Sequence, residues 1–152
     1  MPKKSKIIII AVIGLMVIAI LLNYVSSEIY SLWHGNPIRR VYFKNTLVKA
    51  EEVMTAKKIE EGLAGRKGLA EGRGMLFVMP KDDFQRFWMK GMQFPIDIIW
   101  MEKGRVIGCE KNISPQDDRI FTSPSSASVV LEVSEGFCDH FGIQINDQVG
   151  IQ

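Results

Sequence analysis

Positions 7–25 carry seventeen apolar side chains in nineteen and no charge, with only Gly14 and Asn23 interrupting the run. At the helical rise, about 20 residues match the hydrocarbon thickness of a bilayer. The β-branched cluster Ile7–Ile10 is a weak helix former in water. In lipid every backbone group must bond internally, so a single span has to be helical. A soluble amphipathic helix is disfavoured, because no polar face exists to meet water. A cleaved secretory signal is the competing reading, with Val25 and Ser27 as the small residues before a cut. Signal cores run about 7–15 residues and end at an Ala-x-Ala-like site. Here the run is at or beyond that length and no such site follows, which favours a retained anchor.

Charge supplies the orientation. Lys3, Lys4 and Lys6 precede the run and no basic residue follows it until Arg39. The positive-inside rule then leaves the N-terminus in the cytoplasm, with Tyr24, Tyr30 and Trp33 at the outer interface. Residues 1–6 read as a basic cytoplasmic segment, 7–25 as a transmembrane signal anchor and 26–37 as a juxtamembrane linker. Residues 38–152 read as a domain outside the cytoplasm at the cell membrane. The net charge of +2 belongs to the anchor's flank, since residues 37–152 hold 16 basic and 16 acidic side chains. A neutral domain lacks the basic footprint of a nucleic-acid binder. Its 116 residues, 49 of them apolar, suffice for one core and are too few for two domains.

Within that domain, Arg39–Lys44 and Leu47–Val53 have strand character, joined near Lys44-Asn45. Thr55 is placed to cap a helix running to Ala64, with Gly62 and Gly65 at its end. Strands are expected at Met75–Met79, Phe84–Lys90, Ile96–Met101, Arg105–Lys111, Val129–Val133 and Gln148–Ile151. The Ser-, Pro- and Asp-rich stretch Ser114–Ser128 is expected to be a long loop, and Glu135–Phe141 a short helix. About seven strands and two short helices predict a mainly β fold, a compact antiparallel barrel or rolled sheet.

The chemistry-bearing residues are few. In Phe84–Lys90, alternation places Phe84, Arg86, Trp88 and Lys90 on one face and Gln85, Phe87 and Met89 on the other. Asp97 is a lone carboxylate in an apolar strand; if the two strands are neighbours, Lys90 and Asp97 could meet across Gly91–Pro95. A pocket with a Trp floor, a Lys/Asp pair and Arg66 is one outcome, and a structural ion pair is the other. Metal binding lacks ligands at usable spacing, because His34 and His140 are the only histidines and no Cys-x-x-Cys occurs. Met75, Met79, Met89, Met92 and Met101 crowd one stretch; thioethers can hold Cu(I), but core packing is their ordinary role. Ser123, Ser125, Ser126 and Ser128 have no nucleophile elbow around them, and no phosphate-binding loop is present, so no cofactor is expected. Cys109 and Cys138 would be free to pair in an oxidising exterior, or would stay as small buried hydrophobes. Glu110 and Glu132 complete the possible carboxylates.

The order of motifs is distinctive. Gly62-Leu63-Ala64-Gly65-Arg66 is followed by Gly72-Arg73-Gly74-Met75-Leu76-Phe77. Then come Phe87-Trp88-Met89-Lys90, Pro95-Ile96-Asp97-Ile98-Ile99, Gly104-Arg105-Val106, Val130-Leu131-Glu132-Val133 and Gly142-Ile143. Over roughly residues 46–150 this closely resembles the uncharacterised prokaryotic family filed as domain of unknown function 192. The resemblance implies a small β-barrel-like domain, commonly exported or membrane-attached, with no established reaction. It departs from the family pattern at Gly91-Met92, where Asn-Thr is usual, and at Ser114-Pro115, where relatives often hold a cysteine. Positions matching the family's polar motif members are Arg66, Trp88, Lys90, Asp97 and Glu132.

These features lead to an expected membrane-anchored envelope protein whose domain is a non-catalytic binding or accessory module. It would take a small polar ligand, a glycan or a partner protein beside Trp88. The alternative is an exported enzyme using Asp97 or Glu132 as general acid or base, with Lys90 or Arg66 holding an anionic substrate.

Overall fold

The computed structural model describes residues 12–21, 35–44 and 46–152. The chain divides into two units, Met1–Gly35 and Asn36–Gln152. In the first, residues 12–21 are helical. The expected basic segment, both ends of the expected anchor and most of the linker lie outside the described residues, as does His34. Among the described residues no helix is long and apolar enough to cross a membrane.

The second unit is mainly β. Its strands are β1 (Ile38–Phe43), β2 (Thr46–Val53), β3 (Arg73–Asp83), β4 (Arg86–Phe87), β5 (Ile96–Glu102), β6 (Arg105–Ile113), β7 (Phe121–Thr122), β8 (Ala127–Ser134) and β9 (Val149–Ile151). Helix α1 (Ala56–Glu61) joins β2 to β3, and α2 (Phe137–His140) follows β8. Seven strands form one sheet in the order β6-β5-β8-β3-β2-β1-β9, and β4 pairs with β7 apart from it. All pairings in the large sheet are antiparallel except β2 with β3. That parallel pair requires a crossover, which α1 supplies. The sheet curls into a half-barrel whose edge strands touch at one end. Arg105 bridges Gln148, and Val149 N–H donates to the Gly104 carbonyl at 2.8 Å.

Helix α1 starts after Thr55 as expected but ends at Glu61, short of the predicted Ala64. The Thr55 side chain accepts from the Lys58 N–H, and Gly62, at φ 49°, ends the helix by donating to the Lys58 carbonyl. The predicted strand Phe84–Lys90 shrinks to the two residues of β4, and the predicted loop Ser114–Ser128 contains β7 and the start of β8. Buried Gln85 explains both differences. Its N–H donates to the Ser123 hydroxyl and its side-chain amide to the Lys81 and Ala127 carbonyls. Side-chain bonds, two of them to partners far along the chain, thus replace a regular ladder. The predicted sidedness survives nonetheless: Gln85, Phe87 and Met89 are buried, whereas Phe84, Arg86, Trp88 and Lys90 are exposed.

Period-two alternation sorts the core into two clusters, one on each face of the sheet. Leu76, Ile99, Met101, Leu131 and Val133 join Val41, Phe43 and Cys138 on one face. Met75, Phe77, Ile98, Trp100 and Val130 join Leu63 and Phe87 on the other. Gly74 lets β3 and β8 approach, since a Cβ there would lie 2.7 Å from the Glu132 carbonyl oxygen. The crowded methionines are core residues: Met75, Met89 and Met101 are buried, and Met79 and Met92 pack against the second cluster.

Candidate functional site

Glu132 lies on the second face of β8, between Met75 of β3 and Ile98 of β5 in the pairing register. Glu51 of β2 is the next residue along the same row, opposite Met75. An acid buried in such a row loses most of its hydration, so burial disfavours its charged form. Burial accordingly pushes the Glu132 carboxyl up to about 8, against the opposing pull of the Arg66 guanidinium. Its Oε2 has no hydrogen-bond partner among the described residues.

Arg66 reaches this row from the turn after α1. Its guanidinium grips Glu51 with both ends, Nη1 to Oε1 at 2.5 Å and Nη2 to Oε2 at 2.8 Å, and both side chains are buried. Two parallel charge-assisted bonds fix the orientation of the pair. The turn is held in place by the segment after β4: Gly65 N–H donates to the Gly91 carbonyl at 2.9 Å, and Gln93 Nε2 donates to the Gly65 carbonyl at 3.2 Å. Gly91 sits at φ 79°, with the place of a Cβ only 3.1 Å from Ala64 Cβ. Glycine suits both the positive φ and the close approach.

Between α1, the β3 strand and the β4 segment lies a pocket of about 380 Å³, which Glu132 helps to line. Leu63, Phe77, Phe87 and Met92 give it apolar walls. Trp88 stands at its mouth, 47% exposed. Arg86, Lys90, Glu60 and Glu61, all exposed, also line it. The volume falls within the range of small-molecule sites, which are mostly apolar with a few placed polar groups.

Of the five polar positions singled out from the sequence, Trp88, Lys90 and Glu132 therefore come together in one pocket. Arg66 lies close enough to Glu132 to act on its charge. Asp97 does not join them. The possible Lys90–Asp97 pair is not formed: Lys90 is exposed at the pocket, whereas Asp97 is fully buried and shares strand parity with Ile99 and Met101 on the opposite face. Asp97 and Glu132 are thus separated by the sheet, so the two carboxyls cannot serve one reaction centre.

The Asp97 carboxylate is occupied by backbone. Oδ1 accepts from Asn112 N–H at 2.8 Å and Gly136 N–H at 3.2 Å, and Oδ2 accepts from Cys138 N–H at 2.8 Å. Opposite it, β6 carries one extra residue, since Ile96 pairs with Ile113 but Ile98 with Glu110. A bulge of this kind frees an N–H from the ladder, and Asp97 receives it. Cys138, which follows in α2, is disulfide-bonded to Cys109, so the pairing left open by the sequence is made. The ligand-type atoms of Asp97, Cys109 and Cys138 lie within 4.8 Å of one another, but the two sulfurs are bonded together and the carboxylate is spent on three amides. Ser123 is likewise spent, its hydroxyl donating to the Ser125 carbonyl while accepting from Gln85.

Glu51, the partner of Arg66, was not among the sequence candidates. An acidic residue inside the strand Leu47–Val53, in phase with apolar Val53, was the available signal. Arg86 was placed on the correct face with Trp88 and Lys90, although not singled out.

The fold has solved counterparts. A protein of unknown function from Novosphingobium aromaticivorans aligns with a TM-score of 0.70 at 26% identity, covering 76% of this chain and 84% of that one. A proposed transcription regulator from Sinorhizobium meliloti 1021 aligns with a TM-score of 0.73 at 23% identity, covering 76% and 94%. No curated protein matches the sequence. The family described as "Uncharacterized ACR", domain of unknown function 192, matches residues 40–151, and the chain belongs to that family.

Proposed function

We propose that the domain is a non-catalytic binding module for a small ligand, held on the outer side of the cell membrane by residues 7–25. One observation carries the ligand reading: an apolar pocket of about 380 Å³ whose lining includes a buried carboxyl with an oxygen that has no hydrogen-bond partner among the described residues. Such a group is costly in an isolated domain and gains a partner when a ligand enters. Trp88 offers an exposed aromatic face at the mouth for the ligand to cover. The anchor rests on the uncharged run 7–25 and the three lysines before it. The regulatory label of the Sinorhizobium protein is not carried over, because residues 37–152 have equal numbers of basic and acidic side chains.

The raised Glu132 carboxyl also favours a second reading, in which it donates a proton as a general acid. Asp97 has no place in that scheme, being on the other face of the sheet.

A thermal-shift screen of the full chain in nonionic detergent, against a mixed small-molecule library, tests the ligand reading. Ligands that bind the folded state raise its melting temperature by mass action. The expected result is a shift in the wild type that Trp88→Ala reduces or abolishes. A silent library, or shifts unchanged in both Trp88→Ala and Glu132→Leu, would refute the proposal.

A further inference from the structure

We infer that the pocket takes an uncharged small molecule with an apolar body and a carbonyl-type acceptor, which receives a hydrogen bond from the Glu132 carboxyl. The inference rests on the ligand-pocket reading and adds the ligand's chemistry. Three features of charge and geometry carry it.

At the mouth, exposed Glu60 and Glu61 stand against exposed Arg86 and Lys90, so the entrance has no net charge to select an ion. Behind the floor, the Arg66 cation is already matched by the Glu51 carboxylate in a two-pronged buried pair. An anion would therefore leave water without meeting an unmatched positive charge. A cation would have to ionise Glu132 in surroundings that hold it neutral. Glu132 is 5% exposed and lines the pocket, with Oε2 unpartnered among the described residues. A protonated carboxyl has one O–H to give, and a carbonyl or ether oxygen is what accepts it. Leu63, Phe77, Phe87 and Met92 make room for an apolar body but offer no further side-chain polar group.

The groups facing Glu132 also set the pH behaviour. Arg66 acts on it from the turn after α1, with Glu51 of β2 across the guanidinium. Glu60 and Glu61 from α1, and Arg86 and Lys90 from the β4 segment, line the same pocket. With that balance of charge, loss of the Glu132 proton is the event that ends donation to the ligand.

Three matched probes test this on the full chain in nonionic detergent: acetanilide, phenylacetate and phenethylammonium, with affinities read by ligand-observed NMR titration. Acetanilide is expected to bind about tenfold more tightly than either ion, a difference of the size of one hydrogen bond. Its affinity should fall by about tenfold per pH unit once Glu132 has lost its proton, following proton linkage. Glu132→Gln, which keeps a donor but cannot titrate, should retain binding and lose the pH dependence. Glu132→Leu should lose about tenfold in affinity. If Glu132→Leu does not fold, as judged by its melting curve, the pH profile of Glu132→Gln carries the test alone.

Tighter binding of phenylacetate or phenethylammonium overturns the uncharged-ligand inference while leaving a ligand pocket in place. Equal binding of acetanilide to wild type and Glu132→Leu overturns the role of Glu132. If none of the three probes binds, this inference falls, whereas the broader reading falls only if the mixed library is silent as well.

Discussion

Glu132 and Asp97 are both buried acids on adjacent strands, and the difference between them lies in what their oxygens touch. Asp97 meets three backbone amides, while Glu132 Oε2 meets none among the described residues. The Glu132 carboxyl moves from an ordinary 4.5 to about 8 through burial, opposed by Arg66. Between those pH values the folded chain holds a proton that the unfolded chain has released. Raising the pH through that window therefore favours unfolding, and the stability present below 4.5 is progressively lost up to about 8. The full loss is roughly 3–5 kcal/mol. Glu132→Gln should abolish this decline, so that urea midpoints of wild type and variant are similar at about pH 5 and diverge in the variant's favour by about pH 9. A wild-type midpoint that does not fall across this range would show that Glu132 is not held neutral. At this level the sequence was only partly readable. It marked Glu132 and Asp97 alike as charges in apolar strands, but β5 is buried on both faces from Ile96 to Met101. Where both faces are buried, alternation no longer tells one side from the other, and the two acids could not be assigned to opposite faces.

Helix α2 has only four residues and no side-chain cap, so its own hydrogen bonds cannot keep it in place. Tertiary attachments do so instead: the Asp97 carboxylate receives the amides of Gly136 and Cys138, the disulfide ties Cys138 to β6, and Lys111 of β6 pairs with Asp139 at the surface. Asp97→Asn replaces an acceptor oxygen with a donor amide facing backbone donors. This should destabilise the domain by about 2–4 kcal/mol, measured by chemical denaturation, with the disulfide still formed. Cys109 and Cys138 are 29 residues apart. Reducing the bond, or replacing both cysteines by serine, should cost about 3–4 kcal/mol on the loop-entropy account. A thiol titration before and after reduction, paired with the melting temperature, checks it; unchanged melting after full reduction would refute the fastening role. Most elements were foreseeable because their signals are local. Thr55 and Gly62 mark the ends of α1, and alternation marks the exposed and buried sides of Phe84–Lys90. Strand β7 and its pairing with β4 were not foreseeable, because that pairing depends on Gln85 meeting Ser123 from far along the chain.

Across the molecule, the mainly β architecture with two short helices followed from counting strand and turn signals. The parallel β2–β3 pair did not, since a short helix between two strands is compatible with several orders of pairing. Residues 12–21 and Asn36–Gln152 fall in different units, and their compositions differ, apolar and uncharged in the first and neutral and mixed in the second. The family motifs, scattered along the sequence, converge in space for a physical reason. Gly62, Leu63 and Ala64, then Phe87, Trp88 and Lys90, and finally Glu132 line one pocket, with Arg66 acting on Glu132 from beside it and Gly74 permitting the close approach of β3 and β8. The Asp97 motif instead secures the far side of the sheet.

The contact between the sheet's two edges has a further implication for how the chain acquires its shape. Strand β1 pairs with β9, and the residue before β9 bridges to β6, so Val149–Ile151 sits at the seam between the sheet's first and sixth strands. During synthesis, β1 leaves the ribosome with β2 as a partner but with its other edge unfilled until β9 emerges. For that whole interval a row of backbone donors and acceptors is open to any neighbouring extended chain. Exposed Arg40 lies on β1 itself, beside Arg39, which is ion-paired to Glu52 of β2 at 3.0 Å; an exposed charge on an edge strand disfavours edge-to-edge pairing with a second copy. The half-barrel is thus closed by β9 on β1, and the edge that this closure covers belongs to a strand carrying exposed charge.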